Sequence, residues 1–558
     1  MINLFTDPKR SYLLVLLALL HSPALLGAEK GAHPPHWIAV VAPEFVETIK
    51  PLAEHRRREG MAVTVLESSA VLTPQQIKAG DAGPLRARMA ELCRDAKGEC
   101  HVLLVGVPLA AETDDSARTV VPALKGTVGR MRGEPSDHVF GCLGKDLTPQ
   151  VAVGRLPARS RAELASMIDK MLRFERDTSP ERWRNDLTVL VGDPGGNTAA
   201  EKGLANLVVG GMMAAQLGKL DPVWSPRLVV HVPGSEFCVP DDRLRDTSLD
   251  YLKQGQIFSV YLGHSNATGF GSGNAPFLLR NHWEELKIPR GNGVLVSCGC
   301  FGCQVRGADG EGYGQAAIRN PNGPVAVLGA HGESYAIAGK LTAEALLSCL
   351  NRPQPPERLG EYWLAMQRGL ASDPIDALTF WMFDQADGSR GRATLEEQRL
   401  EHLEMWMLLG DPAMTLPVRR ATLQLKVASP AGPTEEAAPG GGIVISGKLP
   451  AALAGSRVQL TVARPLGSFT PGLKSLPADA AQVREVMLAN HKLANEVVLL
   501  DLQVAPEKDG QFAGVLQLPE KLPWPHLIIR ASAATEKDSA LGVLRLKVAK
   551  PAVSLLRS

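Results

Sequence analysis

Three of the eight cysteines lie within one short segment, at Cys298, Cys300 and Cys303. A cysteine becomes a nucleophile when a nearby base helps to form its thiolate. His264 is a candidate base, because it follows an apolar run just as the cysteine cluster does. Asp193 ends a third apolar run, and a carboxylate there can hold an imidazole in one tautomer. These residue types predict nucleophilic catalysis by a thiol.

Glycines surround both of these candidate groups. Gly263 precedes His264, and Gly299 and Gly302 flank Cys300. Glycine has no Cβ, so it adopts backbone conformations that other residues avoid and lets a second backbone approach closely. The pattern is therefore compatible with a cleft in which a substrate backbone lies against the histidine and the thiol.

The histidine segment permits a second interpretation. Gly263-His-Ser265-Asn-Ala267 resembles the nucleophile elbow of serine hydrolases, which would make Ser265 the nucleophile of an esterase. An elbow leads directly into a helix, whereas residues 268–274 are rich in glycine and form helices poorly.

The cysteine cluster permits a third interpretation, a metal site. Cys298, Cys300 and Cys303 can share one metal ion at this spacing, with His264 or His331 as a further ligand. The sequence lacks a second cysteine pair at zinc-finger spacing. A disulfide between two of the three cysteines would still leave one thiol for catalysis.

The elements that carry these groups alternate between strand and helix patterns. Alternation of this kind predicts a mostly parallel sheet covered by helices on both faces. Ligand sites in such sheets lie beyond the carboxyl ends of the strands, where Asp193, His264 and Cys300 fall. The apolar runs predicted as strands include residues 37–42, 101–106, 187–192, 256–262 and 293–297.

The pattern changes after Pro417. Segments such as Thr422-Leu-Gln-Leu-Lys-Val alternate apolar and polar residues with period two, separated by turn residues and with almost no helix. This pattern predicts a β-sandwich. We therefore expect an α/β body over about 36–418 and a β domain over 420–550.

The amino terminus has the features of a secretory signal. Lys9 and Arg10 precede an apolar run at 12–20, and small residues follow up to Ala28. This order predicts a signal peptide over residues 1–28 and export to the periplasm, cell surface or medium. The run is shorter than the about 20 residues that span a bilayer, so we expect no stable membrane span after cleavage.

The charge balance bears on the partners. Sixty Lys+Arg against 59 Asp+Glu give a formal net charge of +1. A balanced chain has no general attraction for nucleic acid, so nucleic-acid partners are not expected.

Three segments together resemble the gingipain family of cysteine peptidases, which belongs with the caspase-like peptidases. They are Ser259-Val-Tyr-Leu-Gly-His-Ser, Gly293-Val-Leu-Val-Ser-Cys-Gly-Cys, and Tyr313-Gly-Gln-Ala-Ala-Ile-Arg-Asn-Pro with the following Gly-Pro-Val-Ala-Val-Leu-Gly. Shorter motifs agree in the same order: Leu103-Leu-Val-Gly, Ser136-Asp-His-Val-Phe-Gly, Val153-Gly-Arg-Leu-Pro and Leu408-Leu-Gly-Asp-Pro-Ala-Met.

The resemblance implies a fold and a domain division. The fold is α/β, with a caspase-like, three-layer, mostly parallel sheet, followed by a C-terminal immunoglobulin-like β-sandwich. An N-terminal subdomain covers residues 36–180 and a catalytic subdomain residues 181–418. The β-sandwich matches the domain expected at 420–550 from the strand pattern.

The resemblance also implies an endopeptidase acting on protein or peptide substrates through an acyl-enzyme. His264 is then the general base and Cys300 the nucleophile. Cys298 is the alternative nucleophile, at the shorter strand–cysteine junction of caspase-like relatives. Asp193 occupies the place of the acidic residue that orients the histidine. No cofactor is required, and a structural calcium ion is compatible with the family.

Two further residues take substrate-binding roles from the resemblance. Tyr335 falls at an aromatic wall of the primary specificity pocket. The backbone amides of Gly263 and the nucleophile form the oxyanion hole. Gly-His-Ser stands where the family usually has Gly-His-Gly, and no residue matches the acid that selects basic side chains, so Arg or Lys specificity is not implied. A catalytically silent binding or surface module is the alternative function.

Overall fold

The computed structural model describes residues 33–549, apart from 110–112, 114–116, 145, 180, 194–212, 214, 272–276, 307–309, 388, 419–420, 468–469, 478 and 537. The predicted signal peptide, residues 1–28, lies outside the described residues. Within the described part of the chain, no helix has the length and apolarity that crossing a membrane requires.

The described residues form strands and helices, which are numbered in chain order. The strands are β1 His36–Val41, β2 Ala62–Glu67, β3 Cys100–Val105, β4 Leu124–Lys125, β5 Pro135–Ser136, β6 Ala152–Leu156, β7 Asp186–Val191, β8 Ser225–Val230, β9 Gln256–Leu262, β10 Ser265–Asn266, β11 Gly269–Phe270, β12 Asn292–Cys298, β13 Ala326–Ala330, β14 Trp406–Leu409, β15 Ala421–Thr422, β16 Leu425–Ser429, β17 Gly432–Pro433, β18 Glu436–Ala437, β19 Gly442–Lys448, β20 Val458–Ala463, β21 Val498–Val504, β22 Gln511–Gln517, β23 His526–Ala534 and β24 Ser539–Val548. The helices are α1 Lys50–Arg58, α2 Pro74–Ala79, α3 Gly83–Asp95, α4 Arg161–Glu175, α5 Asp241–Lys253, α6 Arg280–Glu285, α7 Tyr313–Arg319, α8 Ala336–Leu350, α9 Leu359–Ser372, α10 Ala377–Ala386, α11 Leu395–Met405 and α12 Ala480–Asn495.

A ten-stranded sheet organises the α/β body, in the order β2-β1-β3-β6-β14-β13-β12-β9-β7-β8. Neighbouring strands run parallel except for the antiparallel pair β13–β14. The sheet therefore consists of two parallel halves that run in opposite directions. The prediction of a mixed α/β fold with a large, mostly parallel sheet is confirmed.

The strands form because their apolar runs are buried. β6 and β13 are buried at every position, and β12 is buried from Gly293 to Ser297. Continuous burial of this kind is typical of parallel strands covered on both faces. A polar residue inside such a strand needs a buried partner, whereas a residue beyond the strand end can be polar without one, so the candidate chemistry falls at the edges of the sheet.

Two of the short sequence motifs, Val153-Gly-Arg-Leu-Pro and Leu408-Leu-Gly-Asp-Pro-Ala-Met, each contribute one residue to a buried ion pair in or beside the first half of the sheet. Arg155 on β6 donates two hydrogen bonds of 2.7 Å to the carboxylate of Asp137. Asp411, just after β14, accepts hydrogen bonds from Arg56 at 2.9 Å and from the Trp37 indole at 3.1 Å. These motifs stabilise the fold, because a buried charge requires a well-placed partner.

The C-terminal region contains two further sheets. One has six strands, with the order β15-β24-β23-β20-β21 and β18 paired to β24, and the other has four, in the order β17-β16-β19-β22. Apolar residues from both sheets, such as Ile445 and Phe512 from one and Leu460 and Leu527 from the other, belong to one hydrophobic cluster.

The expectation of almost no helix in this region was wrong for α12. The helix separates β20 from β21, and its last residue, Asn495, pairs through its side-chain amide with both backbone groups of Leu228, at 2.7 and 3.0 Å. Leu228 lies on β8, the edge strand of the large sheet. The helix thereby covers backbone groups that an edge strand leaves unpaired.

Arg530 on β23 gives a test of how firmly the C-terminal region is attached. Its guanidinium is buried and donates to the carbonyl oxygens of Pro222 at 2.5 Å and Trp224 at 3.1 Å. Arg530→Met would leave both carbonyls without a partner, at a cost of about 1–3 kcal/mol for each buried group. We expect a melting temperature several degrees lower and faster proteolytic release of the C-terminal region.

Arg545→Met is the matched control, because Arg545 is exposed on the neighbouring strand β24. It should leave the melting temperature within about one degree of the parent, since exposed substitutions away from special features change stability little. Equal melting curves for the two variants would contradict the proposed role of Arg530.

Candidate functional site

Strand register aligns the three predicted catalytic residues in one row. In the parallel ladder, Val191 of β7 pairs with Leu262 of β9, and Leu262 pairs with Cys298 of β12. Asp193, His264 and Cys300 each lie two residues beyond these partners. Neighbouring strands are about 4.7–4.9 Å apart. Asp193, His264 and Cys300 therefore follow three neighbouring strands at the same offset.

Glycines allow the connections that follow these strands to touch. Gly263 has φ +150°, and a Cβ there would lie 3.0 Å from the backbone of Gly192. A Cβ at Gly299 would collide with the Ser265 side chain. Any larger residue at either position would push the histidine segment away from its neighbours.

Ser265 links the histidine segment to the cysteine segment. Its hydroxyl donates to the carbonyl oxygen of Cys300 at 2.8 Å. The carbonyl of His264 itself accepts from the Gly271 amide at 2.8 Å and from the Tyr261 hydroxyl. The serine that distinguishes this Gly-His-Ser sequence thus fixes the two segments together, and the His264 side chain is left exposed.

A third segment, residues 332–335 after β13, holds the thiol from the other side. The Ser334 amide donates to the Cys300 sulfur at 3.3 Å. Phe301, next in the chain, donates its amide to the Gly332 carbonyl at 2.9 Å and has φ +57°. A positive φ is costly for a bulky residue, and such strain is found most often at functional sites.

The thiols of the cluster differ in their surroundings. Burial raises the pKa of Cys298 to about 12, and its Cβ packs against Gly339 of α8. Burial raises the pKa of Cys303 even further. Burial also raises the pKa of Cys300, and the carboxylates of Glu333 and Asp387 raise it further, whereas the Ser334 amide and the Arg130 guanidinium act in the opposite direction. Cys300 is therefore the thiol of the cluster that forms a thiolate most readily.

Arg130 is a site residue that the sequence reasoning missed. Its guanidinium lies 4.2 Å from the centre of the Tyr335 ring, and it pairs with Glu401 at 2.5 Å and Glu333 at 2.9 Å. Tyr335 is half-buried at the start of α8. Tyr335, the predicted aromatic wall, thus comes directly after the residue whose amide contacts the thiol, and Arg130, 170 positions before Cys300 in the chain, lies over its ring.

His402 on α11 was also missed, and it holds the thiol-binding segment in place. Its Nδ1 must donate to the Gln398 carbonyl, 2.8 Å away, because a carbonyl oxygen only accepts. Its Nε2 then accepts from the Tyr335 amide at 2.8 Å and the Ser334 hydroxyl at 3.0 Å. Burial lowers the pKa of His402 to about 3, so it is neutral near pH 7.

The alternative interpretations fare poorly in this geometry. Ser265 begins the two-stranded hairpin β10–β11, whereas a nucleophile elbow leads into a helix. In the part of the chain that the structure describes, the cysteine cluster does not form a group with metal-ligand spacing. His331 instead accepts the Val305 amide at 3.2 Å.

The described residues contain one group with metal-ligand spacing, His55, Glu59 and Glu175. The guanidinium of Arg56 already donates to Glu59 at 2.7 Å and to Glu175 at 2.8 Å. The carboxylates are therefore neutralised by a buried cation, and with an imidazole in the set the group does not fit the all-oxygen ligation that calcium prefers.

Comparison with known proteins agrees with this geometry. The family model described as peptidase family C25 matches residues 31–417, well over half of the chain. The chain belongs to peptidase family C25.

Individual relatives of the C25 chain are distant. Gingipain R2 of Porphyromonas gingivalis is 21% identical over 245 residues, which are 42% of this chain and 28% of the relative. Gingipain R1 of the same organism is also 21% identical over 42% of this chain, and 21% of its own length is covered. The match thus spans only about a quarter of the length of these curated relatives.

A solved structure shares the fold. The crystal structure of the Arg-specific cysteine proteinase gingipain R aligns with a TM-score of 0.53 and 15% identity, covering 95% of this chain and 100% of that one. Identity this low shows the fold alone. Together with the family match, it confirms the predicted membership of the gingipain family of cysteine peptidases.

The different thiol environments predict the order in which iodoacetamide labels the folded protein. The thiolate is the reactive form, so a raised pKa slows labelling at a given pH and labelling accelerates as the pH rises. At about pH 9.5 we expect Cys300 to react faster than Cys298, because burial raises the pKa of Cys298 to about 12 and leaves little of it as thiolate. Peptide mapping across pH 6–10 measures both rates, and faster labelling of Cys298 would contradict the geometry.

His402→Leu tests whether His402 holds Ser334 in position to bind the Cys300 sulfur. The variant removes the acceptor for the Tyr335 amide, which should loosen Ser334 and withdraw its hydrogen bond from the Cys300 sulfur. We expect the pH profile of Cys300 labelling to move up by about one unit, since the thiolate loses a donor. His402 stays neutral over pH 6–10, so its own titration does not enter.

His138→Leu is the matched control. His138 is equally buried, and burial lowers its pKa to about 4, but its partners are Leu147, Gln367 and Cys142, a thiol outside the cysteine cluster. A stability loss alone should lower the melting temperature of both variants and leave the labelling profile of the control unchanged. The same shift in both variants would show that the His402 contact has no specific effect on the thiol.

Proposed function

We propose that this chain is an exported cysteine endopeptidase in which Cys300 is the nucleophile and His264 the general base. The observation that carries the proposal is the register of β7, β9 and β12, which gives Asp193, His264 and Cys300 the same offset beyond paired strand residues. A histidine flanked by a thiol and a carboxylate is the arrangement that nucleophilic catalysis requires.

Cys300 attacks the carbonyl carbon of the scissile peptide bond and its proton passes to His264. The tetrahedral intermediate collapses, the C–N bond breaks, and His264 returns the proton to the leaving amine. Water then hydrolyses the thioester, with His264 again accepting a proton. Because burial raises the pKa of the Cys300 thiol in the resting protein, the base is needed at the moment of attack.

Backbone groups complete the proposed machinery. The amides of Gly263 and Cys300 are the oxyanion donors, and such donors stabilise the intermediate by charge-assisted hydrogen bonds. Asp193 orients the imidazole of His264. The left-handed backbone at Phe301 supports the nucleophile role of the adjacent Cys300, because such strain is found most often at functional sites.

Tyr335 is the proposed wall of the primary specificity pocket. The charged groups beside it, Arg130 with Glu333 and Glu401, mostly pair with one another. The solved relative gingipain R is an Arg-specific enzyme, but the low identity gives no reason to carry this preference over. We propose protein or peptide substrates without assigning a side chain.

The proposal extends to the remainder of the chain. Residues 1–28 are a signal peptide, 36–180 and 181–418 are the two subdomains of a caspase-like catalytic unit, and 420–550 form an immunoglobulin-like sandwich. The hydrophobic cluster shared by the two C-terminal sheets supports the last assignment. No cofactor takes part in the reaction, and any structural calcium lies outside the His55 group.

Hydrolysis of a quenched fluorescent casein tests the proposed catalytic pair. Cys300→Ala should abolish turnover, and His264→Ala should lower kcat by at least about 100-fold, the usual contribution of a general base. Cys298→Ala removes a thiol two residues away with little change in volume, so it should retain most of the activity. Melting curves of all three variants establish that they fold.

The outcomes separate the alternatives. Loss of activity in Cys298→Ala with activity retained in Cys300→Ala would transfer the nucleophile to Cys298. A folded parent that hydrolyses no substrate and labels Cys300 independently of His264 would contradict the enzyme and favour the silent binding module.

A further inference from the structure

Two cysteines far from the candidate site lie side by side. Cys93 is near the end of α3 and Cys100 begins β3, seven positions later, and their sulfur atoms are 2.7 Å apart. Cys93 is buried and Cys100 is half-buried. The other six cysteines have different surroundings, since Cys142, for example, contacts His138.

The elements that carry this pair hold the two sulfurs in place. Cys100 pairs with His36 in the parallel ladder between β3 and β1, a central position of the first half-sheet. On the other side, Arg94 beside Cys93 donates to the Leu143 carbonyl at 3.2 Å. Both cysteines therefore stand in regular secondary structure, and their sulfur atoms already lie within contact distance.

We propose that Cys93 and Cys100 form a disulfide in the mature protein. The bond requires an oxidant of the disulfide class, such as glutathione disulfide or a thiol–disulfide oxidase. One cysteine thiolate attacks the donor disulfide and releases one thiol; the second cysteine then attacks the mixed disulfide and releases the other. Two electrons and two protons leave the protein, and one donor disulfide becomes two thiols.

The bond would tie the helix to the strand and leave the reactive cluster untouched. It closes a short loop, residues 94–99, in the N-terminal part of the chain. Cross-links stabilise mainly by restricting the unfolded chain. Cys298, Cys300 and Cys303 remain thiols, so oxidation at this pair is compatible with thiol catalysis. The inference does not depend on the proposed peptidase activity.

The oxidant should be present while the chain folds. In the folded dithiol, the hydrogen bond with Cys93 and burial raise the pKa of the Cys100 thiol, which slows attack on a donor disulfide. We would therefore synthesise the full chain in a cell-free system, once with glutathione disulfide and once with dithiothreitol, block free thiols with iodoacetamide, and digest with trypsin.

Trypsin makes the assay unambiguous, because Arg94 and Lys97 lie between the two cysteines. Peptides 89–94 and 98–118 then stay together only if a disulfide joins them. We expect the joined peptides in the oxidised sample and two separately alkylated peptides in the reduced one. Cys93→Ser and Cys100→Ser should abolish the joined species, whereas Cys349→Ser, at a buried thiol elsewhere, should retain it.

Melting curves give an independent readout. The oxidised parent should melt about 3–6 °C above the reduced parent, and this difference should vanish in Cys93→Ser but persist in Cys349→Ser. Separate alkylation of Cys93 and Cys100 after oxidative synthesis would overturn the proposal. So would a bond from either cysteine to any other cysteine of the chain.

Discussion

The parallel register of β7, β9 and β12 is the constraint on which the candidate site depends. Parallel strands in register end at one edge of the sheet, so residues at equal offsets beyond paired positions become neighbours. Val191, Leu262 and Cys298 are such paired positions. A shift of one residue in either pairing would turn side chains to the other face and separate the histidine from the thiol.

Contacts between the segments that follow the strands fix the positions of the candidate catalytic residues further. Glycines let the connections approach each other, Ser265 joins two of them, and the Ser334 amide binds the sulfur. His402 holds Ser334 from behind and stays neutral because it is buried. The thiol is thus placed by contacts on both sides, although burial keeps its pKa high. A thiol that is held in place but has a raised pKa fits a mechanism in which a base removes its proton during attack.

Two buried ion pairs of the fold lie apart from this chemistry. The ion pairs of Arg155 with Asp137 and of Arg56 with Asp411 lie in or beside the first half of the sheet, whereas the row of candidate catalytic residues lies in the second. The antiparallel pair β13–β14 joins the halves. Since the halves run in opposite directions, their carboxyl edges lie at opposite ends of the strands. Arg130 belongs to the first half and contacts Tyr335 from the connection between β3 and β6.

The sequence by itself determined the alternation of strands and helices, the family, and the three residues that end β7, β9 and β12. Local patterns suffice for this, because burial on both faces makes each strand a continuous apolar run and leaves polar residues at its end. A helix at Ala480–Asn495 was overlooked, since its role is to cover a strand more than 200 residues away. Tertiary structure alone showed how the surroundings of Cys300 and Cys298 differ, because the segments that pack against them come from elsewhere in the chain. It alone brought Arg130, Ser334 and His402 to the thiol, and Cys93 to Cys100, because contacts between distant segments leave no periodic trace in the sequence.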